Sequence, residues 1–490
     1  MKVDVDCKGL SNTEVVELCA DALKKWNVYA DARAKLIHVD RNQPIELGRR
    51  NMTLLLDEAI FYTGHPRKDK KGEPLEPSHT VSVILAEEVI ASHKYFPKLA
   101  GVTSCPVVSL TGRITSEGYD AATRLYVAPP VKVAASDLPT TPGACAAELL
   151  SLVGDFPFVD DQDRGAWLAV VLSGLMRPSI PGAVPAFVIT ATTRGTGKTL
   201  LATAAMDIIH GPGSGISTEP HNEEEAKKAL LSEALHGTRV LVWDNLANGR
   251  PFGGAAIDSL ITSDVIKGRA LGGNTLITAK LPFVLVCTGN NVRFQADTAR
   301  RVVLCRLETK HERPEDRQDY AIENLRGHIT KNRARILGVA VQLVRLGLAS
   351  DARAPRVGSF EDWGDSIGRI MRSAGFDLAP CFASADGSSD ETALARVCLL
   401  SYIAKHWPNG ASTMQIMKRA FGSPLDARAQ GDVNAADAFA SLSDGRINRD
   451  TDTRAAGRVL GSFERSNVAG LWMTRRVLDG TSVWVVRDAL

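Results

Sequence analysis

Four stretches dominated by consecutive apolar residues interrupt an otherwise mixed chain: Phe187–Ala191, Val240–Trp243, Pro282–Cys287 and Val302–Leu304. None alternates apolar with polar positions, so each reads as a strand buried on both faces, as in a parallel sheet. Three of the four pass into polar residues at their ends, in Thr192-Thr193, Asp244-Asn245 and Thr288-Gly-Asn-Asn291. Helix-forming stretches at Leu200–His210 and Asn222–Leu235 separate the first two. Glu223-Glu-Glu225 opens the second helix, where negative charge suits the positive end of the helix dipole. Two further helices, Gly143–Val153 and Asp163–Met176, precede the block, and Asp319–Leu348 reads as a helical lid after it.

The flanks follow other patterns. Residues 1–130 read as α+β, with a helix at Asn12–Lys25, strands at Val28–Ala32 and Lys35–Asp40, and a charged exposed turn at 68–74. Apolar residues on both sides of Thr111-Gly112 predict a hairpin, after which Gly118 relieves a turn and Tyr119 packs. Asp4 and Asp6 sit on a short polar strand and read as solvated. Residues 1–130 contain no cluster of metal-binding carboxylates of the kind a primase needs. Pro129-Pro130 opens a linker over 131–142. An α/β core spans 143–350, and composition shifts toward Ala, Arg and Pro at 351–490. There, helices over Phe360–Arg372, Thr392–His406 and Ala455–Arg465 are followed by strands at Leu471–Thr474 and Ser482–Arg487, turning at Asp479-Gly480.

The chemistry concentrates at the polar ends of the apolar strands. After the first, Arg194-Gly-Thr-Gly-Lys-Thr199 closes a short loop onto a helix. Small residues there let backbone N–H groups converge on phosphate oxygens at the helix N-terminus. In this phosphate-loop reading Arg194, Gly195, Thr196, Gly197, Lys198 and Thr199 bind nucleotide, with Lys198 on the β- and γ-phosphates and the Thr199 hydroxyl on Mg²⁺. Thr192 stands where G-x-x-x-x-G-K-[ST] has its first glycine, so Gly195 and Gly197 must supply the flexibility. The plainer alternative is a strand–turn–helix carrying a surface lysine. Asp244, emerging at the same sheet edge, is placed to hold Mg²⁺ directly or through water. Asn245 cannot act as a general base but can orient a water. Asn290 is placed to sense the γ-phosphate, or simply to close a turn. Arg300 or Arg301 is placed to stabilise phosphoryl-transfer charge across a subunit boundary, or to make a surface ion pair.

Loop, acid-ended strand, polar-ended strand and arginine pair, in this order over Gly154–Glu308, resemble the P-loop AAA+ ATPase core. The resemblance is closest to superfamily III helicases and the helicase half of phage and plasmid primase-helicases. It implies ATP and Mg²⁺ as cofactors, a homo-oligomeric ring, a hexamer in that family, and single-stranded or forked DNA as partner, with a separate primase or polymerase as a further one. It also implies that the segment Ser263–Thr275 is a hairpin gripping the DNA backbone through Lys267, Arg269 and Lys280, although a solvated basic turn fits each of these equally. Residues 99–126 resemble the region preceding the ATPase in phage and prophage helicase-like proteins. The C-terminal helices and two-stranded wing resemble a winged helix, with Arg454, Arg458, Arg465, Arg475 and Arg476 as contact candidates; interspersed acids leave a packing role open.

Composition adds bounds. The 490 residues suffice for about three domains. A net charge of +2 gives no global argument for nucleic acid, so any basic surface must be local. The eight cysteines form no C-x-x-C pair, and Cys287 and Cys305 lie in apolar runs, as expected of buried thiols in a reducing cytoplasm. No stretch is apolar and long enough to span a membrane. The expectation is an ATP-dependent DNA helicase or translocase for replication of a phage or mobile element. Its alternatives are an ATPase that loads a helicase or opens an origin without unwinding, and a nucleotide-gated DNA-binding assembly protein that hydrolyses little.

Overall fold

The computed structural model describes residues 2–490 apart from 66, 77, 192, 248–250, 270–275, 310–316, 318–319, 384–389, 423–432, 444–445, 465–466, 469–470, 479–480 and 489–490. Thr192, the hairpin tip before Leu276, the start expected for the helical lid at Asp319, Arg465 and the Asp479-Gly480 turn lie outside the described residues. The chain forms two compact units. One comprises 1–249, 253–291 and 301–383, the other 250–252, 292–300 and 384–490.

At the centre of the first unit is a five-stranded, all-parallel sheet. Its strands are β1 (Ala186–Ala191), β2 (Ser217–Thr218), β3 (Val240–Asp244), β6 (Val284–Asn290) and β7 (Val302–Leu307), in the order β2-β3-β6-β1-β7. The apolar runs are therefore strands buried on both faces: Phe187, Val188, Val242, Val286 and Val303 have at most 1% exposure. Inserted between β3 and β6 is an antiparallel ribbon of β4 (Val265–Arg269) and β5 (Leu276–Lys280). Helices α1 (Asp161–Met176) and α2 (Lys198–His210) pack on the sheet, α3 (Glu223–His236) packs on the ribbon, α4 (Ala255–Thr262) on α3, and α5 (Leu325–Leu348) on α2. Burial along α1 is nearly continuous from Gly165 to Met176, and the Trp167 indole donates to the Leu201 carbonyl at 3.0 Å. Asn222 caps α3 through the Glu225 N–H, in front of three consecutive acids. Asn324 caps α5, so this helix begins at Leu325, later than the Asp319 expected from its pattern.

The N-terminal segments belong to the same unit. Val3–Asp6 pairs in parallel with Ile60–Thr63, and Val28–Ala30, Leu36–Asp40 and Gln43–Glu46 form an antiparallel sheet. Helices Asn12–Lys24, Arg49–Ala59 and Val83–Ala91 pack a shared core around Cys19, Leu23, Met52 and Leu56. A second small sheet joins Gly101–Thr103, Leu125–Val127 and Gly118–Asp120, and Val107–Val108 pairs with Ile114–Thr115 in the expected hairpin. Tyr119 stacks on Tyr29 with ring centroids 4.8 Å apart, and Gly118 has φ +79°. Residues 351–383 also pack here: Trp363 is fully buried, meets Phe187 edge-on and donates to Ser173 Oγ at 2.9 Å. The compositional shift at 351 therefore precedes the structural break at 384.

The second unit holds α6 (Asp390–His406), α7 (Thr413–Phe421), α8 (Val433–Leu442) and α9 (Thr453–Gly461). An antiparallel sheet follows, β8 (Asn467–Val468), β9 (Leu471–Leu478) and β10 (Thr481–Asp488). Ile403, Ile416, Phe439, Leu460 and Trp484 form its core. The expected helices and terminal ribbon are present, with longer strands than the apolar pattern suggested, because β9 continues through the exposed Arg475, Arg476 and Val477.

Candidate nucleotide site

The first strand, β1, ends at Ala191 beside Asn290 of β6. The chain then turns through Gly195 at φ +77° and Gly197 at φ +86° into α2. Both angles lie in the left-handed region that favours glycine. At Gly197 space adds a second constraint, since a Cβ would sit 2.8 Å from the Phe156 ring. Thr196 is buried; its hydroxyl accepts from Lys198 Nζ at 3.0 Å, and Lys198 also donates to the Thr193 carbonyl at 3.2 Å. The ammonium is thus curled back over its own loop. Burial pushes its pKa below the ordinary lysine value, an effect opposed by the charge of Asp244. Arg194 is exposed.

Thr199, in the first turn of α2, donates its hydroxyl to Asp244 Oδ1 at 2.7 Å. Thr288 donates to the same oxygen at 2.6 Å. Among the described residues no donor reaches Oδ2. A hydroxyl and a carboxylate in contact, with one carboxylate oxygen open, form a donor set suited to a hard divalent cation. Thr288 does more. Its hydroxyl accepts the Asn245 N–H at 2.9 Å, and its carbonyl accepts the Leu246 N–H at 2.7 Å. It therefore fixes the backbone where β3 leaves the sheet, at a point where Asn245 has φ +59°. The motif reading had assigned Thr288 no role. The signal lay in register: Trp243 pairs with Cys287, so the residue after each must lie side by side.

Asn290 closes the same edge. Its side-chain Oδ1 is buried and has no hydrogen-bond partner among the described residues, while Asn291, at φ +45°, donates its N–H to the Ala191 carbonyl at 3.1 Å. A buried amide oxygen left unpaired is costly unless a donor arrives with ligand or water. Lys198, Thr199, Asp244, Thr288 and Asn290 are therefore gathered at the C-terminal edge of one parallel sheet.

The two arginines are placed differently. Arg301 is largely buried and pairs with Asp258 at 3.0 Å, and its backbone carbonyl accepts the Ala186 N–H. Arg300, in the second unit, is 65% exposed and pairs with its own-turn neighbour Asp297 at 3.1 Å. Lys267 and Arg269 lie on strand β4, and the pairing of β4 with β5 sets them on the same ribbon face as Lys280. Lys280 reaches the Pro178 carbonyl at 3.5 Å. Among the other basic candidates, Arg454, Arg458 and Arg476 are exposed, and Arg475 lies over the Trp484 ring. Among the described residues no helix is long and apolar enough to cross a membrane.

No protein-family model matches this chain, and no curated protein does. Among solved structures it is similar to the apo C-terminal region of NrS-1, at 11% identity and a TM-score of 0.45, over 96% of this chain and 99% of that one. It is also similar to JCV helicase, at 15% identity and a TM-score of 0.22, over 48% of this chain and 67% of that one.

Proposed function

We propose that the chain is an ATP-driven nucleic-acid motor, a DNA helicase or translocase serving replication of a mobile element. The observation that carries this reading is the contact of Thr199 and Thr288 with one oxygen of Asp244, at the mouth of the Gly195–Lys198 loop. Mg²⁺-ATP would be held by the loop backbone, Lys198, Thr199 and Asp244, and supplies the phosphoryl group that water removes. Lys198 would exchange its contacts with Thr193 and Thr196 for phosphate oxygens, a charge-assisted replacement favoured in a half-buried pocket. The buried Asn290 oxygen, without a partner among the described residues, would accept a hydrogen bond from a water held there. Of the two arginines, Arg300 suits action across a subunit boundary because it is exposed, whereas Arg301 is tied to Asp258. The C-terminal helices and ribbon would serve as a winged-helix-like DNA contact.

A second reading keeps the nucleotide site and drops fast turnover. Asn245 follows Asp244 where a carboxylate base would be expected, and an amide takes no proton. A nucleotide-gated assembly protein, or a loader of another helicase, would suit that arrangement.

The deciding measurement is ATPase turnover with and without single-stranded DNA, for wild type beside Lys198→Ala. DNA-stimulated hydrolysis abolished by the substitution supports the motor. Wild-type turnover at the mutant's level overturns it in favour of the second reading.

A further inference from the structure

A pair of adjoining cavities lies away from the nucleotide loop, between the N-terminal segments and the ribbon. Their volumes are about 710 and 450 Å³, and they share Asp31, Ala32, Leu99, Ala100 and Leu235 as a common wall. Arg269, Thr278 and Lys280 line the ribbon side. These three project from one face of the β4–β5 ribbon. Lys98 and Arg124 line the opposite side. At one edge of the groove the packing is close: a Cβ on Gly101 would lie 3.0 Å from the Gly237 Cα, so the N-terminal sheet abuts the end of α3 directly.

Charge in the groove is unbalanced. Its acids, Asp31 and Glu46, are already engaged by Arg33 at 2.7 and 3.3 Å. Lys228, on α3, pairs with Glu224 and Glu225. Lys98, Arg124 and Arg269 are exposed and have no carboxylate partner among the described residues. Between the cations the lining is mixed: Leu99 and Leu235 lie in both cavities and Pro129 in one, beside Ser232 and Thr123. A channel with leucine and proline side chains on its floor and cations along two sides accommodates a flexible polyanion whose flat faces turn inward. Cavities of this size do not admit a duplex, and the amides of Asn42 and Gln43 line only the larger one.

We propose that this groove binds one single strand of nucleic acid, with Lys98 and Arg124 of the N-terminal segments and Lys280 of the ribbon holding its phosphates in one cavity and Arg269 in the adjoining one. The proposal rests on the motor reading for its purpose but assigns the N-terminal region a direct share in gripping the strand.

The test is binding of fluorescent oligo(dT) and oligo(U) to the full chain over a series of salt concentrations, for wild type and the Lys98→Ala/Arg124→Ala double variant. Both side chains are exposed, so the fold should persist; circular dichroism and unchanged basal ATPase check this. Each phosphate contact on a single strand contributes a slope of about 0.7 in log K against log salt, so losing two should lower the slope by about 1.4. Affinity should fall at least tenfold at low salt, with the oligo(dT) and oligo(U) arms showing which sugar is preferred. Wild-type affinity and slope in the double variant would overturn the proposal, as would absent wild-type binding or equal competition by polyglutamate. A chain without DNA-stimulated hydrolysis whose strand binding still depends on Lys98 and Arg124 would keep the groove and remove the motor. DNA-stimulated hydrolysis with an unaltered slope would do the reverse.

Discussion

Thr288 shows how one hydroxyl can organise a site. It donates to Asp244 and accepts from the Asn245 backbone, so Thr288→Val removes both bonds at nearly constant volume. A hydrogen bond to a charged group contributes about 1.5–3 kcal/mol to stability, so the variant should lose about that much in urea unfolding, and turnover should fall because Asp244 is no longer held. Equal turnover in steady-state kinetics would show that Asp244 is positioned without it. His210 carries a separate prediction. Its Nε2 accepts N–H bonds from Arg239 and Val240 at 3.2 and 3.1 Å, and burial together with Arg239 and Arg333 lowers its pKa to about 4. The folded chain then resists protonation that the unfolded chain accepts, so stability is full above the ordinary histidine pKa and declines as pH falls toward 4. The decline attributable to this one group is about 3 kcal/mol at most. Urea unfolding of wild type and His210→Gln between pH 7 and 4.5 should show the steeper loss in wild type. Gly195, Lys198, Thr199 and Asp244 were legible in sequence because each stands at a fixed place relative to a strand end. Thr288 and His210 were not, because their roles depend on which strands become neighbours.

At the scale of elements, the strand runs were legible since burial on both faces leaves no alternation to misread. Helices Arg49–Ala59 and Val83–Ala91 went unassigned. The first has Gly48 at its N-cap with no side-chain cap, so no local signal marks its start, although Met52, Leu55, Leu56 and Ala59 follow a helical stripe. The junction of α2 with α5 was equally hidden. Asp207, 1% exposed, accepts a two-pronged pair of bonds from Arg326 at 2.6 and 3.0 Å, across 119 residues of chain. Arg326→Ala removes a half-exposed cation from a buried carboxylate, which costs about 1–3 kcal/mol. The double variant Asp207→Asn/Arg326→Met should recover much of this in chemical denaturation, because it removes the buried charge as well. If the single and double variants were equally unstable, packing of α5 and not charge would hold the junction.

For the whole molecule, the formal net charge is +2, so attraction to nucleic acid must arise from placement. In the proposed motor the ribbon would supply that placement, since it carries Lys267, Arg269 and Lys280 on one face, remote in sequence from the phosphate loop. Lys267→Ala/Arg269→Ala should therefore keep basal hydrolysis while losing most DNA stimulation and strand displacement. Loss of basal hydrolysis would instead tie the ribbon to the nucleotide site. Assembly can be tested through the arginines. If Arg300 completes a neighbour's site, Lys198→Ala and Arg300→Ala are each inactive alone yet complementary when mixed. In a head-to-tail ring assembled at random from equal amounts, about a quarter of the boundaries pair an intact loop with an intact arginine. Activity should then return to about a quarter of wild type if sites work independently, and to less if they must fire in sequence. Arg301→Ala should behave otherwise: it breaks the half-buried pair with Asp258 and lowers stability, without complementation. No recovery in the mixed Lys198→Ala and Arg300→Ala sample, with both variants folded and assembled, would mean that each subunit completes its own site and would remove the reason for a ring.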